Sequence, residues 1–178
     1  MEVVKKYRVQ SISMIGIIII SICEVLALYK LNVVYKGVHL VSYFGTVIII
    51  QIFCWYRLIF KVDVKKKRYK SSIVFMILIT VSTPVLMLVT QPQYSFQDGK
   101  VLIKNNIHEK SNYTFIEHPD WKNTIPVTNN LKSIFINNRV YYYRLSDGVK
   151  INYFIVNPIS GRVNKLDKGY WSEDQEDN

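Results

Sequence analysis

Apolar and polar positions are segregated along this chain rather than mixed. Three long apolar runs fill the first half: Val9 to Leu28, Val38 to Phe60 and Ile73 to Thr90. Their only charges are Glu24 in the first and Arg57 near the end of the second. Each run is close to the ~20 residues a helix needs to cross a hydrocarbon core, and each is apolar all round. The pattern predicts three transmembrane helices. A cleavable signal peptide is the competing reading of the first run, but its apolar stretch is longer than a signal core and no small-residue cleavage site follows.

After Thr90 the period changes. "KSIFI", "RVYYYRLS", "VKINYFIV" and "RVNKL" alternate in the manner of strands. Asn137-Asn138 and Asp147-Gly148 stand between them as two-residue hairpin signals. Asn157 to Gly161 fits a turn that closes on a left-handed glycine. "SNYTFIE" reads as a short strand and "HPDWKNTIPVTNN" as a loop. The segment 94–106 reads two ways: Ser95 with Asp98 forms a capping-box signature, whereas Asp98-Gly99 is a hairpin signal. The fold class expected is a membrane α-helical part with three transmembrane helices, plus a small α+β domain built as an antiparallel meander under one covering helix. The boundaries are 1–90 for the spans, 91–168 for the α+β domain and 169–178 for an acidic tail.

Charge changes the picture by giving the spans a direction. Residues 1–90 hold twelve Lys and Arg against three acids, and residues 91–178 hold eleven against ten. The basic excess flanks the apolar runs, which argues against a nucleic-acid partner and for the lipid bilayer. The densest stretch, "KVDVKKKRYK", carries Lys61, Lys65, Lys66, Lys67, Arg68 and Lys70. Basic residues in short loops stay on the cytoplasmic side. With Lys5, Lys6 and Arg8 also inside, the N-terminus is expected in the cytoplasm, 61–70 acts as a topology anchor, and everything after Thr90 lies outside the cell membrane.

Intramembrane polar residues are functional candidates because their burial in lipid is costly. Glu24, His39 and Gln51 are the three. Glu24 either meets His39 at matching depth, reaches the headgroups, or bonds a neighbouring helix. Gln51 faces Thr80 and Ser82 as interhelical glue. The spans show no inverted repeat and no run of charges of the kind that marks a transport path. Cys23 and Cys54 lie inside apolar runs and have no metal-ligand spacing. His108 and His118 with Glu109 and Glu117 match no ligand pattern, and no nucleophile or phosphate-loop motif occurs. No enzyme, cofactor or metal is therefore expected.

The order "YSFQDGKVLIKNN", strands, then "VYYYRLSDGVKINYFIVNPISGRVNKL" resembles a PepSY-type domain over about residues 93–168. Asn157, Ser160, Gly161 and Val163 occupy that family's terminal turn, while Asn157-Pro158 replaces its acidic start and Gly99 its helix alanine. The resemblance implies a helix at 95–106 and a non-catalytic extracytoplasmic module that binds or restrains an envelope or membrane protein. The tyrosines suggest where: alternation sends half of them away from the helix, so Tyr141 and Tyr143 are the expected partner face. Two other readings are a small membrane immunity or stress protein whose spans carry the function, and a non-catalytic subunit of a transporter or envelope enzyme.

Overall fold

The computed structural model describes residues 2–61, 69–107, 113–116, 122–127 and 135–171. It divides into two compact units, one of residues 1–30 and 41–90, the other of residues 31–40 and 91–178.

The first unit is helical. Helices α1 (Glu2–Tyr35), α2 (Val41–Phe60) and α3 (Tyr69–Val89) are each long and apolar enough to cross a membrane, which makes the chain a membrane protein. The last turn of α1 belongs to the second unit. Buried positions recur at alternating steps of three and four: Ser21, Glu24 and Leu28 on α1, and Phe44, Ile48, Gln51, Trp55 and Leu58 on α2. That spacing is the seam of left-handed helix packing. Trp55, Leu58 and Met76 form its apolar end, where Trp55 Nε1 donates to Thr80 Oγ1 at 2.9 Å.

The second unit is a five-stranded antiparallel sheet with one helix, α4 (Phe96–Asn106). The strands are β1 (Thr114–Ile116), β2 (Thr124–Pro126), β3 (Arg139–Ser146), β4 (Ile151–Val156) and β5 (Val163–Leu166). β3 is central: β4 lies on one side, and β1 and β2 share the other. β5 closes the far edge against β4. The helix reading of 94–106 is the correct one. The Ser95 side chain accepts from Asp98 N at 3.2 Å, and the Asp98 carboxylate accepts from Ser95 N at 2.8 Å, a closed capping box. The loop Asp147–Lys150 turns β3 into β4 with Gly148 at φ +89°. The Asn157–Gly161 turn also forms: Gly161 N donates to Asn157 O at 2.9 Å, and Gly161 sits at φ +68°.

Four expectations change. "HPDWKNTIPVTNN" is not wholly loop, since Thr124–Pro126 pairs with β3. Asn137-Asn138 is not a hairpin turn, because Ile136 pairs with His39 instead of with β3. The second span begins at Val41 rather than at 38, and residues 31–40 join the sheet domain. The cause is local bonding. Asn137 N donates to Val38 O at 2.7 Å, Leu40 N to Phe135 O at 2.9 Å, and Asn137 Nδ2 to Gly37 O at 2.7 Å. Val38 is fully buried in the sheet core, so the connection after α1 behaves as an edge of the domain. The boundary at residue 168 moves as well. Tyr170 N donates to the Tyr142 hydroxyl and Trp171 Nε1 to Lys122 O, both at 3.2 Å; residues 172–178 of the expected tail lie outside the described residues.

Candidate functional site

Pleat parity decides what each tyrosine does. Tyr141, Tyr143 and Leu145 of β3 register with Val156, Phe154 and Asn152 of β4 and point to the α4 face. Val140 and Tyr142 point the other way, packing with Ile125 and Tyr153 under Trp171. Tyr141 and Tyr143 are therefore core residues, 0% and 2% exposed, and the expected partner face is overturned. Their hydroxyls donate to Tyr94 O at 2.9 Å and Phe96 O at 2.8 Å, which are backbone carbonyls at the start of α4. Phe96 stacks on Tyr143 with centroids 4.6 Å apart and meets Tyr141 edge-on at 5.6 Å. A buried hydroxyl without a partner would cost about 1–3 kcal/mol, so these two bonds let the core accept tyrosine where phenylalanine would be the apolar choice. Burial pushes both phenols well above the usual tyrosine range, with Asp98 adding a like-charge contribution.

One edge of α4, where its buried face meets its exposed face, borders the domain's concave feature. Phe96, Lys100 and Lys104 recur at four-residue steps on one helix face. Lys100 Nζ stands 5.6 Å from the Phe96 ring centroid and 5.5 Å from that of Phe115, and Lys104 Nζ lies 5.8 Å from Phe115. Lys36, held at φ +49° in the turn after α1, places its ammonium 5.9 Å above the other ring, Phe96. These are cation–π distances. Lys36, Phe96, Lys100 and Phe115 wall a small pocket of ≈ 80 Å³ together with Gln97, Arg144 and Tyr143. Its described lining has cationic, aromatic and amide groups and no carboxylate. The repeat of Phe96, Lys100 and Lys104 was visible in the sequence, but Phe115 and Lys36 reach the pocket only through the fold.

Of the intramembrane candidates, Glu24 and Gln51 come together and His39 does not join them. Gln51 Nε2 donates to Glu24 Oε2 at 3.1 Å, and both residues are buried. Thr80 is not Gln51's partner because Trp55 takes it, and the exposed Ser82 turns back to Ile79 O. His39 lies in the sheet domain, 1% exposed, with its backbone bridged to Ile136. Burial there lowers its pKa and keeps the ring neutral. Lys61 is exposed after α2 and Lys70 sits in the first turn of α3, while Lys65, Lys66, Lys67 and Arg68 lie outside the described residues. No group of three His, Cys, Asp or Glu side chains suited to a metal occurs among the described residues.

Comparisons with protein families, with curated proteins and with solved structures found no match to this chain.

Proposed function

We propose that the chain is a membrane-anchored extracytoplasmic binding module of PepSY-like type, acting on another envelope or membrane protein and not itself an enzyme. In this reading the N-terminus and the 61–70 loop lie in the cytoplasm and the sheet domain outside, which the charge asymmetry of the loops supports. The observation that carries the binding role is the pocket bounded by Lys36, Phe96, Lys100, Phe115 and Arg144. Aromatic walls supply contact area, and the cations select an acidic segment of the partner. Photo-crosslinking in native membranes tests this. A crosslinker in place of the exposed Gln97 captures a partner protein, and one in place of Asn164 on β5 does not. Equal capture from both positions, or from neither, removes the pocket as the docking site.

A second reading, in which the spans carry the function, draws on the buried Glu24–Gln51 pair. Deleting the chain after Gln91 separates the two: a phenotype retained by the spans alone favours the second.

A further inference from the structure

Among the described residues, three buried side-chain oxygens inside the helical unit lack a partner. Ser21, Glu24 and Gln51 are 3%, 4% and 1% exposed. Ser21 Oγ, Glu24 Oε1 and Gln51 Oε1 have no hydrogen-bonding partner among the described residues. Ser21 stands one turn from Glu24 on the buried stripe of α1, and Gln51 Nε2 ties Glu24 to α2. Gln51 lies near the middle of α2, ~15 Å from either end at 1.5 Å per residue.

Helix α3 packs against α2 beside this layer. The Trp55–Thr80 bond sets the register of two antiparallel helices. One turn along α2, from Trp55 to Gln51, corresponds to one turn along α3, from Thr80 to Pro84. Pro84 has no N–H, so the Thr80 carbonyl loses its helical donor. Thr83, 3% exposed, donates its hydroxyl proton to Ile79 O and keeps an accepting lone pair. The buried polar residues described in this unit are Ser21, Glu24, Gln51 and Thr83, and none is a cation.

We propose that this layer binds one dehydrated alkali cation, sodium by its fit to a hard, all-oxygen set. Carboxylate, amide, hydroxyl and released carbonyl oxygens suit hard cations, and the absence of imidazole and thiolate from the set disfavours transition metals. A univalent ion cancels the single carboxylate charge, whereas a divalent ion would leave a positive charge inside hydrocarbon. Carbonyls freed by helix interruption near the bilayer midplane are recurrent sodium ligands. The ion would join α1 to α2 and α3 and supply what the orphaned oxygens require. This site is independent of the docking pocket on the sheet domain.

The full-length protein in phosphatidylcholine nanodiscs is unfolded thermally in sodium chloride and in choline chloride at equal ionic strength. Sodium raises the midpoint saturably, by roughly 5 °C, because it binds the folded bundle alone. Glu24→Gln loses that increment, and equilibrium dialysis with radioactive sodium counts one ion per wild-type chain. Ser21→Ala retains the carboxylate and raises the half-saturating sodium concentration several-fold, which keeps the test decisive if Glu24→Gln does not fold. The same midpoint in both salts for the wild type overturns the proposal, a proton or water then serving the oxygens. An increment unchanged in Ser21→Ala and Glu24→Gln overturns it too, since the ion then acts elsewhere.

Discussion

The Tyr143 hydroxyl occupies the space where Gly99 lacks a Cβ. Donating to Phe96 O at 2.8 Å brings the phenol against the α4 backbone, and a Cβ on Gly99 would overlap the Tyr143 oxygen. Glycine in a helix costs about 1 kcal/mol relative to alanine, so its presence in the first turn looked like a local weakness. It is the condition for docking. Gly99→Ala should destabilise the sheet domain by about 1–3 kcal/mol, because forced overpacking outweighs the propensity gain. Gly99→Ala with Tyr143→Phe should recover part of that loss, measured as a coupling in a double-mutant cycle of thermal unfolding. Additive effects would show that the two residues do not compete for one volume.

The same tyrosines set an alkaline limit. Their pKa values are raised in the folded state above the ordinary 10.0, first by desolvation. A raised folded pKa means that the unfolded chain releases the proton more readily. The stability these phenols contribute is therefore complete below pH 10 and declines as the pH rises above it. The domain should unfold cooperatively in that range, with tyrosinate absorbance from the buried rings rising together with loss of near-ultraviolet circular dichroism. A titration of all tyrosines that precedes unfolding would contradict their burial.

The spans were legible because lipid demands uniformly apolar helices, but the seam between them was not. Residues facing lipid are as apolar as those facing the bundle, so hydropathy gives no inward direction. Only Ser21, Glu24, Gln51 and Thr83 marked the buried stripe, and pairing Gln51 with Glu24 required the helix register. In the sheet domain, alternation separated Tyr141 and Tyr143 from Tyr142 but could not say which set met α4, since both faces are covered. The role of residues 31–40 was hidden for a different reason. Val38 and His39 open the second apolar run, and the pairing of His39 with Ile136 spans nearly a hundred residues of chain.

That long-range pairing predicts how the domain behaves when excised. A fragment of residues 91–178 lacks the buried Val38 side chain and the bonds at Val38 O and Leu40 N. The fragment should unfold at lower denaturant than the domain of the intact chain. In the intact protein, Val38→Ala should cost the domain about 2 kcal/mol, in the range for truncating a buried aliphatic side chain. A fragment as stable as the intact domain would reduce residues 31–40 to a passive connection.

The Asn157–Gly161 turn carries a sharper test. Gly161 holds φ +68°, and a Cβ there would stand 2.8 Å from the Tyr94 ring. Asn157 Oδ1 accepts from Ile159 N and Ser160 N at 2.9 and 3.0 Å, so the turn cannot relax without losing its own bonds. Gly161→Val combines a left-handed backbone that β-branched residues resist with a collision against Tyr94. A loss of about 3 kcal/mol is expected from strain and overpacking together, read as a lower unfolding midpoint. Gly148→Val offers the comparison, because Gly148 shares a positive φ but its Cβ would meet open space. It should cost only the backbone part, and equal losses at both sites would mean that Tyr94 yields freely.

Orientation rests on the loop between α2 and α3. Arg57 lies in the last turn of α2, Lys61 is exposed beyond it, and Lys70 opens α3, so the described ends of the loop are already basic. Lys65, Lys66, Lys67 and Arg68 complete a density unmatched around the end of α1, which offers Lys30 in its last turns and Lys36 just beyond it. A reporter fused after Asn178 should be active outside the cytoplasm, and one inserted within 64–70 should be active inside. Neutralising Lys65, Lys66, Lys67, Arg68 and Lys70 together removes most of the bias that retains this loop. Lys5, Lys6 and Arg8 are then left alone against Lys30 and Lys36, and mixed orientations should appear as activity from both reporter types. Unchanged reporter activity after neutralisation would transfer the orienting role to the N-terminal cluster and leave 61–70 without one.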